Sequence, residues 1–87
     1  MTKIYIYCLF DINNSLLGVY SSIKAVHRDA VRHTNRGSGP VYMVTNQKVS
    51  PASLTDLRNI LKGKHDVSIN YRTGTTFARI FKTKLKE

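Results

Sequence analysis

"DVSINYRTGTTFARIFKTKLK", residues 66–86, decides the fold, because its apolar residues recur at every second position on both sides of a glycine turn. Val67, Ile69 and Tyr71 alternate with Ser68, Asn70 and Arg72. "RTGT" supplies the turn and the pattern resumes in a long last strand, so the segment reads as an antiparallel hairpin. In that last strand one alternate set is Phe77, Arg79, Phe81, Thr83 and Leu85. The other is Thr76, Ala78, Ile80, Lys82, Lys84 and Lys86. If Ala78 and Ile80 turn inward, Phe77, Arg79 and Phe81 lie on an open sheet face, where rings and guanidinium groups stack unpaired bases. If the first set turns inward, both phenylalanines join the core, which is the commoner fate of that residue. In either register Lys82, Lys84 and Lys86 are expected to project from the sheet end as a basic patch.

Working back from the hairpin, "SPASLTDLRNILKGK", residues 50–64, carries helix signals. Ser50 stands as a cap, Pro51 at the first helical position, Asp56 early, Lys62 late and Gly63 as the stop. Leu54, Leu57, Ile60 and Leu61 form its apolar face. "PVYMVT" before it reads as a strand over residues 41–45. In "SSIKAVHRDAVRHTNRGSG", residues 21–39, Ile23, Val26, Ala30 and Val31 follow helical spacing, which predicts a helix over residues 22–35 ended by Gly37 and Gly39. "KIYIYCLFDI" and "LLGVYS", joined by the turn formers "DINNS", predict an N-terminal hairpin whose first strand covers residues 3–10. Gly18 there marks a bulge or a close backbone approach. Cys8 alternates with Ile4, Ile6 and Phe10 and reads as a small core residue. The five tyrosines read as half-buried sheet residues, with Tyr5 and Tyr7 able to extend a stacking platform if they share the open face.

The expected order is ββαβαββ: an α+β fold, with a single mostly antiparallel sheet of about five strands and two helices on one face. The 87 residues make one domain, 1–87, with enough apolar content (41%) for a core without staples. A lone cysteine gives no intramolecular disulfide and no pointer to an oxidising compartment. The apolar run of residues 4–10 is too short to span a bilayer, and no signal-peptide pattern follows the N-terminus, so a soluble, cytosolic chain without a membrane partner is expected.

Charge narrows the partner. Lys and Arg number 14 against 5 Asp and Glu, a formal net charge of +9, which makes a polyanion the default ligand through counterion release. Lys24, Arg28, Arg32 and Arg36 recur at every fourth position of the first helix and hold one flank over about three turns. The candidate RNA-binding residues are therefore Lys24, Arg28, Arg32, Arg36, Arg79, Lys82, Lys84 and Lys86, with Phe77 and Phe81 as candidate base-stacking residues. The plainer alternative for the helix stripe is a solvated face in a basic protein.

Catalytic chemistry finds less footing. RNA cleavage needs an acid and a base at opposite ends of a scissile phosphate. His27 and His33 are six residues apart, on opposite sides of the helix, and His65 lies in a later loop. No H-x-x-x-H or C-x-x-C occurs, so no metal site and no cofactor is expected. Gly37 and Gly39 form no phosphate-cradling motif.

"KIYIYCLFDINNSLLGVYSSIKAVHRDA", residues 3–30, resembles small early proteins of T-even-like bacteriophages, in which a short strand pair ending "GVYSS" leads into a helix. In charge and length the chain is similar to the counter-defence inhibitors of ToxN-type ribonuclease toxins among them. The resemblance implies an RNA-binding inhibitor acting in the host cytoplasm on a toxin through, or together with, RNA. It carries over no site residues. The expected function is thus a non-enzymatic RNA-binding phage protein that counteracts a host ribonuclease toxin. The alternatives are a small toxin-like endoribonuclease using His27 or His33, and a protein-only module that caps an acidic host protein. A homodimer or larger assembly is also expected, because the sheet face opposite the helices needs cover.

Overall fold

The computed structural model describes residues 4–35, 40–45, 49–64, 66–74 and 76–85. The chain runs β1 (Tyr5–Asp11), β2 (Leu16–Tyr20), α1 (Ile23–Thr34), β3 (Tyr42–Val44), β4 (Val49–Pro51), α2 (Leu54–Leu61), β5 (Val67–Thr73) and β6 (Thr76–Lys84). All strands join one antiparallel sheet of six, in the order β2-β1-β6-β5-β3-β4. The α+β class and the two helices agree with the sequence reading. The sixth strand and the resulting order ββαββαββ correct it.

The added strand comes from residues expected to open α2. Ser50 and Pro51 instead pair with Met43 and Tyr42 at the sheet edge. Proline is tolerated there because an outermost strand does not need every N–H for the ladder. Ser53 takes the capping role, its hydroxyl accepting from the Asp56 backbone N–H. Lys62 closes the helix and Gly63 follows at φ +71°, a conformation that favours glycine. Ser22 caps α1 by accepting from Ala25 N–H, and Asn35 ends the helix. Gly37 and Gly39, the expected stops, lie outside the described residues.

β5 and β6 form the predicted hairpin, with Thr73 opposite Thr76 and Gly74 at φ +54° in the turn. Their register settles the facing question. Ala78 and Ile80 are fully buried, as are Val26 and Ala30 of α1 and Leu57 and Leu61 of α2. Ile80 lies opposite Leu9 on one side and Ile69 on the other, so the core is a layer between this sheet face and both helices. Each of the buried Leu, Ile and Val side chains contributes about 1.5–3 kcal/mol on burial.

Parity along β1 is the reverse of what its composition suggests. Tyr7 and Leu9 are buried under the helices, with Tyr5 packed against them, while Ile6, Cys8 and Phe10 are half-buried on the opposite face. Cys8 is therefore not a core residue, and Tyr5 and Tyr7 do not lie on the open face. β6 decides this: Tyr7 pairs with Lys82 and Leu9 with Ile80, so β1 must turn the same alternate set inward. At Gly18, a Cβ would stand 2.8 Å from the Tyr20 hydroxyl, so the glycine makes room for that ring, and the register slips beside it between Leu9 and Phe10.

Candidate nucleic-acid interface

The face of the sheet away from the helices presents Phe77, Arg79 and Phe81 along β6, the first of the two arrangements open to the sequence. Both rings are half-buried. Arg79 sits directly across from Phe10 on β1 and Asn70 on β5. Its guanidinium carbon lies 4.8 Å from the centroid of the Phe10 ring, and one terminal nitrogen donates to the Asn14 side-chain oxygen. Asn14 occupies the β1–β2 turn at φ +63°, a left-handed position that asparagine tolerates. Asp11 shapes that turn, its Oδ1 accepting from the N–H groups of Asn13 and Ser15, each at 2.9 Å. A carboxylate thus sets a turn, the turn sets an amide, and the amide holds the guanidinium over a ring.

Arg72 lies exposed on β5 opposite Phe77, and Tyr42 on β3 opposite Arg72. An acid lies at one end of this face: Asp66, just before β5, accepts from the Thr83 hydroxyl at 2.8 Å. Phe10, Asn14, Arg72 and Tyr42 are additions to the candidate site residues. Arg72 and Phe77 become neighbours only through the hairpin register, and alternation groups Phe10 with Cys8 on the expected core side.

The helix stripe lies on the other side of the molecule. Lys24, Arg28 and Arg32 are exposed on α1, which packs on the core face of the sheet; Arg36 is outside the described residues. Arg28 Nε approaches Asp29 Oδ1 at 3.3 Å. Asp29 also accepts from the Tyr20 hydroxyl at 2.8 Å, which ties α1 to the edge strand β2. That bond, with the Arg28 guanidinium adding to it, holds the Asp29 carboxyl below the usual carboxylate range. The stripe and the Phe77–Arg79–Phe81 row are two surfaces separated by the sheet, not two walls of one groove.

Lys82 belongs to neither. It is buried, its ammonium donating to the Leu61 carbonyl at the end of α2 at 2.8 Å and lying 4.5 Å from the centroid of the Tyr5 ring. The expectation of a projecting Lys82 therefore fails: β6 turns it inward with Ile80, and the negative end of the α2 dipole attracts a cation. Lys84 is exposed at the end of β6, and Lys86 lies outside the described residues.

His27 turns into the protein. Its Nδ1 and the hydroxyl of the fully buried Tyr71 share a hydrogen bond of 2.6 Å, and burial lowers the imidazole pKa and raises that of the phenol. His33 is half-buried on α1, and His65 falls outside the described residues. Among the described residues no group of three or more His, Cys, Asp or Glu could hold a metal ion, and no helix is long and apolar enough to cross a membrane. Set against protein-family models, curated proteins and solved structures, the chain matches none.

Proposed function

We propose that this chain is a small, non-enzymatic RNA-binding protein of phage origin that counteracts a host ToxN-type ribonuclease toxin in an RNA-dependent way, in the host cytoplasm. One observation carries the RNA-binding part: a sheet face on the side away from both helices that combines Phe77, Phe81 and Phe10 with Arg79 and Arg72, with Asp66 at its end engaged by Thr83, in a chain of net charge +9. Aromatic rings supply stacking surfaces indifferent to base identity, and guanidinium groups supply phosphate contacts and further stacking. Lys24, Arg28, Arg32 and Lys84 add phosphate contacts from the helix side and the sheet end. The toxin as target comes from the resemblance of residues 3–30 to early phage proteins, together with the similarity in charge and length to the toxin inhibitors among them. The non-enzymatic reading draws on the want of an acid–base pair in the sequence, and the bond to Tyr71 occupies one of the two His27 ring nitrogens.

Self-association is part of this proposal and has its own motive. Edge strand β2 exposes Leu16, Leu17 and Val19 and carries no charge, whereas the opposite edge, β4, is three residues long and ends in Pro51. Pairing of β2 with its copy across a two-fold axis would leave both open faces on the same side of one continuous sheet. The test of the whole reading is a pull-down of the tagged protein from infected cells, with and without ribonuclease treatment. Recovery of a toxin only while RNA is intact is the expected result. Recovery that survives ribonuclease would favour the protein-only module, and cleavage of labelled RNA by the purified chain would favour the nuclease.

A further inference from the structure

We propose that the open sheet face is selective for single-stranded RNA, with unpaired bases stacked on Phe77 and Phe81 on either side of an Arg79 guanidinium held in place by Phe10 and Asn14. This rests on the RNA-binding reading and adds to it the form of the ligand and the residues that choose it.

Along β6 the three side chains follow one another at every second residue, about 7 Å apart. Arg79 occupies the middle position and does not wander: the Phe10 ring lies 4.8 Å from its guanidinium carbon and the Asn14 amide oxygen accepts one of its N–H groups. A planar cation held over the Phe10 ring by the Asn14 amide is a surface prepared before the ligand arrives, which removes part of the ordering cost of binding. The rings offer flat faces and no groove-reading geometry. A base inside an A-form duplex already stacks on its neighbours, and its edges lie in a deep, narrow major groove or a shallow minor one. Only a base released from pairing can lie on Phe77 or Phe81, so duplex RNA would have to be unstacked first.

Charge decides between a polynucleotide and a second copy of the chain as the occupant. Packing two open faces together would bring Arg72 and Arg79 of each against the other, while the carboxylate of Asp66, just before β5, already accepts from the Thr83 hydroxyl. Enclosed, unpaired guanidinium groups are costly. A single strand brings one phosphate with every base, and so supplies partners for the rings and the cations together.

The test is fluorescence anisotropy with the full chain, purified free of RNA at high salt. It uses a labelled single strand of about 12 nucleotides of mixed sequence, the blunt duplex of the same strand, and a strand of the same length with abasic sites. The single strand is expected to bind at least about tenfold more tightly than either other probe. Phe77→Leu and Phe81→Leu, which keep apolar bulk but remove the π face, should each weaken single-strand binding about tenfold, and Phe81→Trp should keep it. Asn14→Gly retains the left-handed turn while releasing Arg79; it should lower the preference for single strand over duplex and leave duplex binding unchanged. Equal affinity for the three probes, or leucine variants that bind like the parent, would overturn the stacking site while leaving RNA binding intact. Failure to bind any probe would remove the RNA-binding reading itself. A dimer in RNA-free protein that Phe81→Leu dissociates would give the face to a second copy and overturn the proposal. An unaltered preference in Asn14→Gly would refute its positioning role.

Discussion

Two cation–aromatic contacts lie on opposite faces of the same sheet, and they have opposite fates. On the helix side Lys82 lies over Tyr5 at 4.5 Å, and its ammonium is engaged by the Leu61 carbonyl. On the open side Arg79 lies over Phe10 at 4.8 Å, with Asn14 taking one bond from a fork of five donors. The first cation is buried and its work is internal: it donates to the Leu61 carbonyl, which also accepts from the Lys64 N–H, at the negative end of α2. The second is held in shape with donors to spare for a ligand. Composition does not separate them, since both belong to "ARIFKTK". What differs is which face of the sheet the helices cover.

Shortening neighbouring residues of β6 should separate the two faces most clearly. Ile80→Ala removes a fully buried side chain and should cost about 2–5 kcal/mol in urea unfolding, whereas Phe81→Ala, half-buried on the other face, should cost much less. Equal losses would mean that the open face is covered by something as dense as the helices. Next in size is Lys82→Met, which keeps the apolar stem and removes the bond to Leu61. It should destabilise by about 1.5–3 kcal/mol and leave the salt dependence of RNA binding where it was. A change in that dependence would return Lys82 to the binding surface.

The helix stripe tests whether the second basic surface takes part. Arg28→Gln with Arg32→Gln should leave the unfolding curve unchanged, since both side chains are exposed. If both arginines neutralise phosphates, the slope of log K against log salt for a single strand should fall by about 1.4, at about 0.7 for each phosphate left without its arginine. No change in slope would make the stripe a solvated face and leave binding to the open side of the sheet.

The smallest expected effect concerns the half-buried His27. Burial lowers the pKa of His27 below its ordinary 6.5, so the unfolded chain takes up the proton more readily than the folded one. The stability it contributes is complete above pH 6.5 and is lost as pH falls through 6.5 toward the lowered folded value. Urea midpoints measured from about pH 7.5 down to about pH 5 should therefore decline, and His27→Gln should flatten the decline. An unaltered profile in the variant would show that other groups carry the pH dependence.

Local signals in the sequence are enough for the elements whose patterns repeat. The alternation of residues 67–83 defines two strands, the spacing of Val26 and Ala30 and of Leu57 and Leu61 defines two helices, and Gly63 and Gly74 mark turns that the backbone reaches at positive φ. These depend on periods of a few residues and need no partner. Short or two-sided segments are different. Val49–Pro51 has no period to read and becomes a strand only because Tyr42 and Met43 offer an edge, while Ser53 leaves Ser50 free of capping. In β1 both alternate sets are apolar, Tyr5, Tyr7 and Leu9 against Ile6, Cys8 and Phe10, so hydrophobicity alone does not choose the inward face. Pairing with β6 makes the choice, and with it come the burial of Lys82, the placement of Arg79 over Phe10 and the meeting of Arg72 with Phe77. Charge, helices and alternation follow from neighbours within a few residues. Which half of each alternation faces solvent follows from contacts between segments that lie far apart along the chain.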